Sequence, residues 1–162
     1  MKKTALFLAT LLIAAGAVAQ DAASIEGAWK YVKIEKLGPD GWVADDNIQP
    51  NLLILAGGYY SNMYVPAVDG KSKPRTLFPD GDGAGNVTDA QKAEAWNTII
   101  ANSGSYKVSG SEITFSVLVA KSPNFMHGGS SKASFKVEGD TLTTETTSFS
   151  GASMKITRKR LK

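Results

Sequence analysis

Two runs of strict alternation within Ser103 to Ala120 limit the fold more tightly than any other feature of this chain. Tyr106 and Val108 alternate with Ser105, Lys107 and Ser109; after Ser109-Gly110-Ser111, residues Ile113, Phe115, Val117 and Val119 alternate with Glu112, Thr114 and Ser116. A period of two puts one set of side chains on an apolar face and the other in water. The stretch therefore predicts a β-hairpin with one face to bury. What that face encloses is the functional question.

The rest of the chain repeats this pattern. Ile25 to Leu37 reads as a first strand, with Trp29, Tyr31 and Lys33 on one face and Ala28, Val32 and Ile34 on the other, ending at the turn residues Gly38-Pro39-Asp40-Gly41. Trp42 and Val43 begin a short return. Leu52 to Leu55 and Tyr59 to Val65 read as two strands joined at Gly57-Gly58. Lys132 to Val137, Thr141 to Phe149 and Ser153 to Leu161 read as three more, the first turning into the second at Gly139-Asp140. One segment has helical spacing instead. Thr88-Asp89-Ala90-Gln91 is a capping box, and Ala93, Trp96, Ile99 and Ile100 fall three to four apart, so a helix is expected over about 88–102 with its apolar stripe on the sheet or across its open end. Eight or nine short strands joined mostly by tight turns predict an all-β fold, an antiparallel up-and-down barrel of about eight strands with one inserted helix.

The first residues constrain location rather than fold. Met1-Lys2-Lys3 is a positive start, Ala5 to Ala15 is apolar, and Ala17-Val18-Ala19 is a small-x-small site, so residues 1–19 predict a signal peptide cleaved before Gln20. The expected product is exported, periplasmic or secreted, with a single domain over 20–162. The apolar run is too short to span a bilayer and no second one follows, so no membrane span is expected. There is no Cys, so the domain must be stable without disulfides.

Charge excludes one class of partner. The 18 Lys and Arg, less Lys2 and Lys3 of the leader, leave 16 against 15 Asp and Glu. With the signs interspersed and no basic stripe interleaved with aromatics, nucleic acid is not an expected partner. Lys155, Arg158, Lys159, Arg160 and Lys162 cluster on the last strand and read as charges that solubilise an edge and tail.

Several features together resemble one family. Gly27-Ala28-Trp29 near the start of the first strand is similar to the Gly-x-Trp signature of lipocalins, and Arg158 and Arg160 on the last strand resemble the Arg that lies across that Trp at the closed end of the barrel. Ala101 to Tyr106 before a strand pair, and then Val137 to Leu142, resemble the bacterial lipocalin-like domain family; the likeness spans Ile25 to Leu161. It implies that Gly27, Trp29 and Arg160, with Arg158 as the second choice, are structural, and that the partner is a small hydrophobic or amphipathic molecule held by a monomer without a cofactor. The helix departs from the pattern, standing before the central hairpin where a typical lipocalin carries one after the barrel, and the Cys pair of many secreted lipocalins is missing.

Strand parity nominates the ligand-facing residues. Tyr31, Met63, Tyr106, Phe115, Val117, Phe135 and Thr144 are expected to point inward, with Tyr64, Phe78, Phe125, Met126 and His127 around the mouth. An eight-stranded barrel can be filled by its own side chains or can hold one small ligand, and both outcomes are open at this point. Enzymatic use of the chamber as an isomerase or cyclase would fall to His127 or Glu112, and a filled core would make the chain a structural module. His127 is the single histidine, so two-His and three-His zinc sites are excluded, and no Gly-x-Ser-x-Gly elbow is present. Pro66 to Asn86 is a long loop, and Asp80, Asp82 and Gly85 within it match three positions of a calcium loop. Ala84 and Gln91 fail the fifth and twelfth positions, so a flexible acidic loop without metal is expected.

Overall fold

The computed structural model describes residues 22–45, 48–65, 67–68, 71–72, 87–147 and 151–162. The expected signal peptide, Phe78 and the acidic Asp80 to Asn86 segment lie outside them. A one-turn helix α1 (Ala22–Ile25) leads into β1 (Gly27–Gly38), β2 (Gly41–Asp45), β3 (Asn51–Ala56) and β4 (Tyr59–Tyr64). A two-residue ladder, β5 (Ala67–Val68) with β6 (Lys71–Ser72), precedes helix α2 (Asp89–Asn97). Then come β7 (Ile100–Ser109), β8 (Glu112–Ala120), the short helix α3 (Pro123–Met126), β9 (Ser130–Glu138), β10 (Thr141–Thr147) and β11 (Ser153–Arg160).

Neighbouring strands are antiparallel in the order β1-β3-β4-β7-β8-β9-β10-β11, and β11 pairs back onto β1 from Trp29–Arg160 to Lys36–Met154. The result is a closed, eight-stranded, up-and-down barrel. Closure removes the free edges that would otherwise expose unpaired backbone. β2 stands outside the ring, pairing only with the far half of β1. Where β3 parts from β1, the Asn51 Oδ1 accepts from the Tyr31 backbone N–H at 2.6 Å, so a side chain completes the ladder.

Two bulges correct the parity read from sequence. β1 carries an extra residue between Tyr31 and Lys33 relative to β11, which leaves Val32 42% exposed and returns Ile34 to the inner face with Trp29 and Tyr31. Lys33, expected beside Tyr31, is thereby turned out to pair with Glu35. In β7 and β8 the register slips between Ser103 and Gly104, so Val119, expected inward, faces solvent. Gly104 is required there: a Cβ would sit 2.0 Å from the Ser116 carbonyl oxygen. Bulges bend and twist strands, and both help curl the sheet shut.

The helix is also shorter than its spacing suggested. The capping box forms, with the Gln91 N–H donating to Thr88 Oγ1 at 3.3 Å and the Thr88 N–H to Gln91 Oε1 at 2.9 Å. However, α2 stops at Asn97, none of its residues is buried, and Trp96 is exposed instead of lying on the sheet. The β-branched run Thr98-Ile99-Ile100 explains the stop, because it favours strand, and Ile100 pairs with Tyr64 of β4 as β7 begins.

Candidate functional site

The barrel has two unlike ends, and the closed one is built from the chain's own backbone. Trp29 and Ile25 are completely buried, and the Trp29 Nε1–H donates to the Ile25 carbonyl at 2.8 Å. Arg160 lies over the Trp29 ring with its guanidinium carbon 4.1 Å from the centroid, and it donates to the carbonyls of Ser24 and Glu26. These carbonyls lie at the end of α1 and in the turn after it, where helical hydrogen bonding runs out. Gly27 makes this possible: it has φ +131, and a Cβ would meet Arg160 Nη1 at 2.6 Å. Gly27, Trp29 and Arg160, grouped by the resemblance, thus meet as a sealed floor.

Packing fills the space next to the floor. Leu55, Tyr106, Ile113, Phe135 and Leu142 are buried together there. The Tyr106 hydroxyl donates to Glu26 Oε1 at 3.3 Å; burial, and then the nearby Glu26 carboxylate, raise its pKa.

Above this layer the barrel opens into a cavity of about 830 Å³. Its wall is mostly apolar, with Tyr31, Ile34, Leu53, Tyr60, Tyr64, Ile100, Phe115, Met154 and Ile156 among its residues. Tyr60 and Phe115 meet edge to face with ring centroids 4.8 Å apart, and the Tyr31 and Tyr64 rings, tilted at 38° to each other, have centroids 5.6 Å apart. Burial pushes the Tyr60 phenol up to about 12. Tyr64 is also pushed up to about 12, by burial first and by Tyr31 second, with Arg158 pulling the other way. Both phenols therefore stay neutral across the physiological range. The Tyr31 hydroxyl donates to Asn62 Oδ1 at 2.7 Å. The rim is formed by α3 and the residues after it, including Phe125 and His127.

The sequence-predicted ligand residues therefore separate into three sets. Tyr31, Tyr64, Phe115, Phe125 and His127 line the cavity, as does Thr144. Tyr106, Val117 and Phe135 are buried but do not line it, belonging to the packed wall instead. Met63 is 50% exposed on the outer face: Tyr60, Asn62 and Tyr64 take the inward positions of β4, so its expected inward orientation is corrected. Tyr60 and Asn62 were legible by parity once Tyr64, not Met63, is set inward. Ile34 was not legible, because only the bulge turns it in.

Arg158 is the larger correction. It is not a second floor residue: it lines the cavity, 6% exposed, with its guanidinium carbon 4.4 Å from the centroid of the Tyr31 ring and Nη1 donating to Thr144 Oγ1 at 2.7 Å. Glu112, the alternative proton-transfer group, stands outside the barrel in an ion pair with Lys132 at 2.9 Å. Among the described residues no group of three or more His, Cys, Asp or Glu could hold a metal ion, and no helix is long and apolar enough to cross a membrane.

No protein-family model and no curated protein matches the chain. Solved structures that resemble it include a lipocalin-like protein from Bacteroides uniformis, with 13% identity and a TM-score of 0.47 over 85% of this chain and 99% of that one. Another is an uncharacterized protein from Bacteroides eggerthii, with 11% identity and a TM-score of 0.44 over 84% and 98%. A redesigned β-barrel follows at 9% identity and a TM-score of 0.42 over 87% and 95%.

Proposed function

We propose that this chain is a binding protein that holds one small hydrophobic or amphipathic molecule in the open half of its barrel, without catalysing a reaction. The observation that carries the reading is the cavity itself: about 830 Å³, largely apolar in its wall, above a floor sealed by Trp29 and Arg160. That volume falls in the range of roughly 300–1,000 Å³ typical of small-molecule sites. A structural module has no need of such a space, since unfilled volume costs dispersion contacts. Burying the ligand contributes about 25 cal/mol per Å² of apolar area, less the cost of association. Closure of the barrel supports a monomer, and the leader pattern of residues 1–19 supports export.

The test is uptake of an environment-sensitive apolar dye, together with native mass spectrometry of protein purified from its own host. Saturable one-to-one dye binding is expected. Phe115→Ala should weaken it several-fold, because the ring lines the cavity against Tyr60, whereas Met63→Ala on the outer face should leave it unchanged. Protein that carries no small molecule and excludes the dye would overturn the proposal in favour of a structural module.

A further inference from the structure

Arg158 brings a full positive charge to an apolar wall, and none of the ion pairs among the described residues gives that charge a counter-ion. Arginine cannot shed its proton in a protein, so the charge is permanent. The residue is 6% exposed, its Nε is buried without a hydrogen-bond partner, and it takes part in none of the ion pairs among the described residues. The described cavity wall holds no Asp, Glu or Lys. A buried, unpaired cation is among the more costly things a protein can hold, and it persists where something outside the fold compensates it.

The donors around it favour an anion. Nη1 gives one hydrogen to Thr144, and Arg158, which lines the cavity, keeps further guanidinium N–H donors, although Nε itself is buried away from the open space. Thr144 Oγ1 accepts from Arg158 and so keeps its own proton to donate. Asn62 spends its carbonyl oxygen on the Tyr31 hydroxyl, which leaves its amide hydrogens to face the cavity. Neutral Tyr64 is a further O–H donor close enough to sense the Arg158 charge. The register puts Arg158 opposite Tyr31, one inward position from the Trp29–Arg160 floor, at the deep end of the cavity.

Building on the cavity reading above, we infer that the ligand is a carboxylate amphiphile that enters acid first, its carboxylate held by Arg158 with Thr144 and Asn62 beside it and its apolar body against Phe115, Tyr60 and Met154.

Calorimetric titration of the mature protein near neutral pH with decanoate and with decanol separates this inference from the broader one. Decanoate should bind roughly tenfold or more tightly than decanol, in keeping with the strength of charge-assisted hydrogen bonds. Arg158→Met should abolish that preference while decanol and dye still bind; Arg158→Lys should keep part of it. Equal affinity for acid and alcohol in the unmodified protein, or a preference that survives Arg158→Met, overturns the carboxylate site while leaving the cavity reading intact. Failure of the dye and both decyl probes to bind overturns both readings. If Arg158→Met does not fold, the comparison of acid with alcohol in the unmodified protein still decides the matter.

Discussion

Arg158 and Arg160 lie two residues apart on one face of β11, yet they do different work. Arg160 at the closed end spends its donors on the carbonyls of Ser24 and Glu26, covers Trp29, and stands 3.7 Å from the Asp140 carboxylate. Arg158 meets one hydroxyl and one ring, and keeps a buried donor unspent. The difference teaches that a guanidinium stabilises a fold when the backbone around it needs donors. Where the wall is apolar and already satisfied, the same group becomes a site for something else. Each end of the barrel can be perturbed separately to test this.

The largest effect should come from the floor. Trp29→Ala removes a fully buried indole together with its bond to Ile25 and its contact with Arg160, and should cost about 3–5 kcal/mol in chemical denaturation. Retention of more than half of that stability would mean that the closed end is not what holds the barrel together.

The two arginines should then give opposite signs. Arg160→Met strips the donors from the part-buried carbonyls of Ser24 and Glu26 and should destabilise by about 1–3 kcal/mol. Arg158→Met replaces a poorly satisfied buried charge with an apolar side chain of similar length, and should be neutral or stabilising by up to about 3 kcal/mol. Equal losses at both positions would erase the distinction between floor and cavity.

Alkaline titration addresses the cavity side. Tyr60 and Tyr64 are raised from their ordinary value near 10 to about 12, so the folded state holds protons that the unfolded chain has already released. Their contribution is complete below pH 10 and is lost as pH rises from 10 through 12, where stability should fall. Phenolate absorbance should show these two tyrosines ionising late or only on unfolding. Normal titration of every tyrosine would mean that the aromatic wall is open to water.

The smallest effect belongs to α2. Trp96 is 58% exposed, with the Lys121 ammonium 5.1 Å from its ring centroid. Trp96→Ala should change stability by no more than about 0.5 kcal/mol and leave dye binding as it was. A large loss would place the helix against the barrel after all.

The alternation around Gly110 and the tight turns were enough to read a closed antiparallel barrel, because a period of two with one apolar face has to bury that face. Tyr31, Phe115 and Thr144 kept their parity and could be set facing the cavity, whereas Tyr64 was read only as a residue of its mouth. Met63, Lys33, Ile34 and Val119 could not be placed correctly. One wrong choice of phase in β4 misplaced Met63, and single bulges in β1 and at Gly104 inverted the other three. A one-residue slip exchanges the faces of a strand, and nothing local in those segments announces it.

By itself, the sequence determined the barrel and the capped start of α2, since these follow from periodicity and turn chemistry; the meeting of Gly27, Trp29 and an arginine was implied by the resemblance to the lipocalin Gly-x-Trp signature. Only the tertiary structure decided which arginine seals the floor, which half of the barrel is packed and which is open, and that Arg158 is left with a buried donor. Those outcomes depend on register between strands far apart in the chain, where the energies of pairing, burial and desolvation are set by neighbours that no single stretch of sequence contains.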